Sequence, residues 1–160
     1  MKKNWKQINK IDFLNAKECL RALKEKNYKT SLWVENIFES SGFNYDKIDY
    51  PINLIRISLK ELGFDIHTEL KNVYKKIEEK GLDLVPPQIA LYSRMIYDEQ
   101  PTGEWLRFAT PLDSMIDVDG IPHLPKVGKA LGFYFIETYW AYENAIFHPH
   151  NEFVFLRKNQ

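Results

Sequence analysis

Four histidines and a set of loop carboxylates hold most of the acid–base and metal-binding potential of this sequence. His148-Pro149-His150 sets two imidazoles close together, and Asp117, Asp119 and His123 stand upstream. Imidazole and carboxylate groups ligate zinc and similar divalent ions. Gathered in space, Asp117, Asp119, His123, His148 and His150 would be the ligand set of a metal-assisted hydrolase or nuclease. Their spacing fits no standard metal-site pattern, and histidines beside a loop proline are more often idle. Asp117-Val118-Asp119-Gly120 starts like a calcium loop, but the later ligands and the closing glutamate are absent, so a β-turn accounts for it.

A second constellation is Arg94, Tyr97, Asp98, Glu104, Trp105 and Arg107. Residues 88–97 fit a helix through Ile89, Tyr92 and Ile96 or a strand through Leu91, Ser93, Met95 and Tyr97; the strand is preferred for 93–97, paired as a hairpin with 104–109 across the turn residues 98–103. In that hairpin Arg94, Tyr97, Trp105 and Arg107 would frame a patch for an anionic or planar ligand. Cross-strand charge pairs are the plainer reading, worth well under about 1 kcal/mol each if exposed. Gly128-Lys129 lacks the first glycine of a phosphate loop. There is no GxSxG sequence, and Cys19, the sole cysteine, has no histidine near it in sequence. An intrachain disulfide is therefore impossible, and Cys19 is expected as an inert buried thiol. No cofactor is called for.

The elements that must position these groups change character along the chain. Residues 1–10 are polar and basic, a short helix or a loose arm. Ala16, Cys19, Leu20 and Leu23 mark one face of a helix that Asp12 or Asn15 can cap. Residues 30–41 suit a second helix, capped by Thr30 or Ser31, with Trp33, Val34, Ile37 and Phe38 as its stripe and Gly42 as a left-handed end. Residues 52–59 favour a strand, the rival being a helix through 52–62 closed by Gly63 and the compromise a strand running into one helical turn at 59–62. Residues 68–80 suit a helix capped by Thr68 and stopped by Gly81. Pro86-Pro87 then breaks the pattern.

Beyond the break the apolar residues fall in short aromatic and β-branched runs. Residues 121–132, with Pro122, Pro125, Gly128 and Gly132, read as an irregular connector. Residues 133–140 are the strongest strand signal in the chain, and 153–156 a final strand. The aromatics of 133–140 could stack nucleobases if exposed, but a sheet packed on helices buries alternate residues, so they are expected in the core. Residues 142–151 are expected as a loop with one helical turn at 143–147. The expectation is an α+β fold: three or four N-terminal helices packed on a C-terminal antiparallel sheet of four or five strands. It forms one domain, 1–160, with a mainly helical lobe at 1–81 and a mainly β lobe at 82–160.

Charge and composition narrow the function classes. The 22 basic and 22 acidic residues cancel, which argues against a dedicated nucleic-acid binder. The balance is uneven, however. Residues 1–30 hold nine Lys and Arg, and residues 98–153 hold nine carboxylates. A basic arm built from Lys2, Lys3, Lys6 and Lys10 would be a route to weak nucleic-acid binding. No run approaches a membrane span and no leader pattern is present, so a cytoplasmic location is the default.

Leu84-Val85-Pro86-Pro87, Arg94 to Tyr97 and Asp98-Glu99-Gln100-Pro101-Thr102-Gly103-Glu104-Trp105-Leu106 resemble a group of small bacterial proteins of unknown function. In that group an ELGF sequence, here Glu61 to Phe64, precedes a helix ending near GL. A CPP-type turn and a DQPxGEWL core follow, then an SDSDG turn, here Met115 to Gly120, and an FVF end, here Phe153 to Lys158. The similarity covers roughly residues 52–158, and this chain has Val85 where the group often has Cys. It implies the domain layout and carries no catalytic residue. The expected role is a non-enzymatic module that binds another protein or itself, through the sheet rim and the loops 111–132 and 142–151.

Overall fold

The computed structural model describes residues 4–43 and 47–158. Its centre is a mixed sheet in the order β1 (Lys6–Ile8), β3 (Ile52–Ser58), β10 (Glu152–Arg157), β6 (Trp105–Phe108), β7 (His123–Ala130), β8 (Phe133–Trp140) and β2 (Lys29–Thr30), with β5 (Leu82–Asp83) also paired to β10. The β10–β6 and β2–β8 pairs are parallel and the rest antiparallel. A small second ladder joins β4 (Thr68–Glu69) to β9 (Ile146–Phe147). The helices are α1 (Ala16–Glu25), α2 (Leu32–Glu39), α3 (Leu70–Glu79) and α4 (Pro87–Ile96).

The α+β class holds. The expected segregation does not, because β1 and β3 bring N-terminal residues into the sheet and α4 is a helix of the C-terminal half. The sheet thus draws strands from both sides of residue 81, and it has eight strands rather than four or five. The helices are interspersed and cover its two faces unequally. On one face, Leu54, Leu106, Val127, Ile136 and Val154 pack with Leu20 and Leu23 of α1, Val34 and Ile37 of α2, and Ile89 of α4. On the other, Ile55, Phe153 and Phe155 pack with Leu70, Val73 and Ile77 of α3. Each such side chain removed from water contributes roughly 1.5–3 kcal/mol.

Local chemistry sets the element ends. The Asn15 side chain accepts a hydrogen bond from the Glu18 N–H and caps α1. Asn27 takes a φ of 64°, and the Tyr28 N–H returns to the Leu23 carbonyl to close that helix. Ser31 caps α2 through the Val34 N–H. Gly42 is not the left-handed end expected; α2 stops at Ser40, whose hydroxyl donates to the Ile37 carbonyl. Thr68 does not cap α3 either. It sits in β4, and the Leu70 and Lys71 N–H groups donate instead to the Ala145 and Glu143 carbonyls. Gly81 does close that helix, at a φ of 69°.

Three segments depart from the sequence reading. Residues 1–10 contain strand β1, in register with β3 through Lys6–Leu54 and Ile8–Ile52. Residues 93–96 are the end of α4 and Tyr97 is its C-cap, not a strand. Pro87 occupies the first turn of this helix, where its missing N–H costs nothing, and the helix buries Ile89, Ala90, Leu91 and Arg94 between α1 and the sheet. Residues 121–132 are the long strand β7 and its turn. The Lys129 N–H donates to Glu104 and the His123 N–H to Met115, so the odd-numbered backbone groups of β7 face the β6 side. Pro125 lies just past the last β6 pair, Arg107–Lys126, where no donor is required. The true hairpin is β7–β8, turned by Leu131 and Gly132 at φ values of 53° and 81°, the left-handed pair of a type I′ turn. The helical turn expected at 143–147 is absent, its place taken by β9.

Candidate functional site

The four residues expected to frame one ligand patch lie on opposite sides of the sheet. Arg94 is fully buried at the end of α4. Its guanidinium donates to Gln100 Oε1 (2.7 Å), to the Tyr97 carbonyl (2.7 Å), and to the Gly128 and Phe135 carbonyls (3.0 and 3.1 Å). The Tyr134 and Tyr28 rings lie 4.9 and 5.9 Å from it. Burial lowers its pKa to about 10. It is therefore a lock between α4 and the β7–β8 hairpin, out of reach of a ligand. Tyr97 is also buried. Its hydroxyl donates to Glu104 at 2.7 Å and accepts from Arg56 at 2.7 Å, in a cluster where Arg56 also pairs with Glu104 and Glu152. Burial first, then the bond to Glu104, pushes the Tyr97 phenol up to about 12.

Trp105 and Arg107 alternate with the buried Leu106 and Phe108 and so point to the α3 side. There the Trp105 ring lies over Gly128, at a place where a Cβ on residue 128 would be 2.4 Å from it. The expectation that residues 133–140 are core fails at this end of the sheet. Only Ile136 of β8 is buried, and Phe133 and Trp140 are 45% and 44% exposed. For the odd-numbered residues of β8 the cause is the position of α3, which packs over β3 and β10, whereas Trp140 lies on the opposite face beside Trp33 of α2.

The metal candidates also divide into separate places. His123 and Asp117 form a buried pair, with His123 Nε2 2.8 Å from Asp117 Oδ2. His123 Nδ1 is 2.8 Å from Thr138 Oγ1. A carboxylate only accepts, so Nε2 carries a proton. Asp117 Oδ1 accepts from the Asp119 and Ile121 N–H groups at 2.9 and 3.0 Å. Burial raises the Asp117 carboxyl, but the bonds from His123, Ile121 and Asp119 outweigh it and hold it below the usual carboxylate range. Asp119 itself is exposed. His148 and His150 line a different cleft with Lys60, Asp65 and His67. The His148 ring lies 4.7 Å from that of His67 and 5.0 Å from that of His150. Among the described residues no three His, Cys, Asp or Glu groups are arranged to hold a metal ion. The five predicted ligands do not assemble.

The Asp117–His123 pair instead supports a surface patch. The His123 ring is held between Trp33 and Trp140, at 5.2 and 5.0 Å. Asp117 N–H donates to the Ile121 carbonyl and Gly120 N–H to the Asp117 carbonyl, with Gly120 at a φ of 81°. This tight turn carries Val118 at its tip, 94% exposed. Trp33, Ile116 and Val118 line an open cleft of about 590 Å³ against α2, with Glu39 on its wall. Trp140 adjoins Trp33 at 6.1 Å. The patch is thus apolar, anchored from beneath by hydrogen bonds, and edged by Glu39 and Asp119. Neither of these carboxylates is in an ion pair among the described residues. Sequence reasoning listed Asp117 and His123 only among five possible metal ligands and assigned Trp33 and Trp140 to the core.

Of the basic arm, Lys2 and Lys3 lie outside the described residues, Lys6 pairs with Glu99, and Lys10 lies 3.3 Å from Asp12. No helix among the described residues is long and apolar enough to cross a membrane. Comparison with protein families, curated proteins and solved structures found no match.

Proposed function

We propose that this chain is a non-enzymatic module that binds another protein through the Trp33–Ile116–Val118–Trp140 patch. The observation that carries the reading is Val118. A valine almost wholly in water, at the tip of a turn fixed by the buried Asp117–His123 pair, is a pre-organised apolar anchor. Two half-exposed tryptophans beside it match the residue types that dominate binding energy at interfaces. The partner is a protein that offers an apolar side chain to the cleft, flanked by Lys or Arg to meet Glu39 and Asp119. The metal-assisted reading has no assembled ligand set to support it. Gln100 and Glu104 serve the fold around Arg94 and Arg56.

A photo-crosslinking amino acid at position 118 tests the idea in cells. A crosslinked protein should, once purified, bind the wild-type chain directly. Burying a valine is worth about 1.5–3 kcal/mol, so Val118→Asp should weaken that binding at least tenfold. Crosslinks only between copies of this chain, or an affinity unmoved by Val118→Asp, would refute the proposal.

A further inference from the structure

The other face of the sheet holds a separate surface that the protein-binding reading does not use. Registered partners across neighbouring strands share a face. One row therefore runs Trp105, Gly128, Phe135 and Lys29 over β6, β7, β8 and β2. The next row is Arg107, Lys126 and Glu137, with Phe133 and Tyr139 on the same side of β8. Three cations here lie against aromatic rings rather than carboxylates. Lys29 Nζ is 4.6 Å from the Phe133 ring, Lys126 Nζ is 4.8 Å from the Trp105 ring, and the Arg107 guanidinium is 5.3 Å from the Tyr139 ring. None of the three is in an ion pair among the described residues, although Glu137 lies opposite Lys126. Arg107 Nε has no hydrogen-bond partner. Burial lowers the pKa of both Arg107 and Lys126, and for Lys126 the nearby Glu137 offsets only part of that.

We propose that this face binds single-stranded nucleic acid, with bases against Trp105, Phe135 and Phe133 and phosphates on Lys29, Lys126 and Arg107. Cations interleaved with aromatic rings on an open sheet supply the two interactions that unpaired strands need, charge for the backbone and π-faces for the bases. The absent side chain of Gly128 is part of the device, since it lets the Trp105 indole lie over the sheet. From β6 to β2 the row spans roughly 14 Å, three inter-strand spacings, which is room for a few nucleotides. A duplex would not fit, because its bases are stacked inside. An acidic protein would satisfy the cations but leave the aromatic rings without partners of matching shape.

The test is fluorescence anisotropy of a fluorescein-labelled dT oligonucleotide titrated with the full chain at low salt. Binding with a Kd of roughly 10⁻⁴ to 10⁻⁶ M is expected, with a log–log salt slope of about −2 for three phosphate contacts. Lys29→Glu combined with Lys126→Glu should weaken binding at least tenfold, and Lys126→Arg should retain it. Tryptophan emission should be quenched on binding, and Trp105→Phe should remove that quenching while binding persists. Thermal melts of each variant establish that it is folded. Absence of any anisotropy change, or equal binding of an abasic oligonucleotide and of heparin, would overturn the proposal. Quenching that survives in Trp105→Phe would overturn it as well.

Discussion

Replacing Arg94 by methionine probes the contact that joins α4 to the β7–β8 hairpin. The hairpin carries His123, Trp140 and the whole aromatic face, so its seating underlies both surfaces. Arg94 donates to four acceptors. Bonds from a charged donor to the Tyr97 carbonyl and to Gln100 are worth about 1.5–3 kcal/mol each. The Gly128 and Phe135 carbonyls belong to the β7–β8 ladder, so their additional bonds are worth less, about 0.5–1 kcal/mol each. The gross loss is then roughly 4–8 kcal/mol. Against it stands the cost of the buried charge, roughly 3 kcal/mol from a pKa held near 10. Methionine keeps much of the volume, so little cavity is added. The net destabilisation should be about 1–5 kcal/mol. In urea, with a slope near 2 kcal/mol/M, the midpoint should fall by about 0.5–2.5 M. Arg94→Lys should fall between, because an ammonium cannot span four acceptors in a fork. A midpoint unchanged within about 0.3 M, or raised, would refute the view that these bonds outweigh the desolvation of the guanidinium.

Two further outcomes follow from the same physics. His123→Ala leaves the buried Asp117 carboxylate without its side-chain hydrogen-bond partner and opens space between Trp33 and Trp140. It should cost about 3 kcal/mol in denaturant unfolding, and a loss under about 1 kcal/mol would contradict a buried structural pair. His148 has a folded pKa held below 6.5, first by partial desolvation and then by the neighbouring His67 and His150. A histidine with a depressed folded pKa favours folding in its neutral form, so its contribution is present above pH 6.5 and declines as the pH falls below that value. NMR titration of the His148 ring should give a midpoint below 6.5, and a midpoint above it would reverse the sign.

What the sequence made legible was local. The α1 stripe, its Asn15 cap and the β-branched run at β3 depend on neighbours within a turn or a strand, and they form as read. The segment 93–97 was ambiguous because Leu91, Ser93, Met95 and Tyr97 alternate as in a strand. The helix prevails because Pro87 starts it favourably and three of its sides are buried. Strand β7 was hidden by Pro125 and Gly128, two residues that normally break strands. Each is accommodated by something distant in sequence: the end of β6 for Pro125, and the Trp105 ring for Gly128. The candidate sites were harder still. Arg94 looked like a surface charge because its acceptors come from residues 97, 100, 128 and 135. Trp33 and Trp140 looked like core because hydrophobicity alone does not say where the helices stop covering a sheet. The Asp117–His123 contact was within reach, since the turn at Gly120 folds one back toward the other.

The central claim is that an apolar anchor fixed by the Asp117–His123 pair makes this chain a protein-binding module. Its most direct test is calorimetric titration of the protein crosslinked at position 118 into the wild-type chain and into Val118→Asp. The account requires a measurable wild-type Kd that is weakened at least tenfold by the substitution, with the unfolding midpoint of the chain unchanged. Equal affinity for both forms would contradict it.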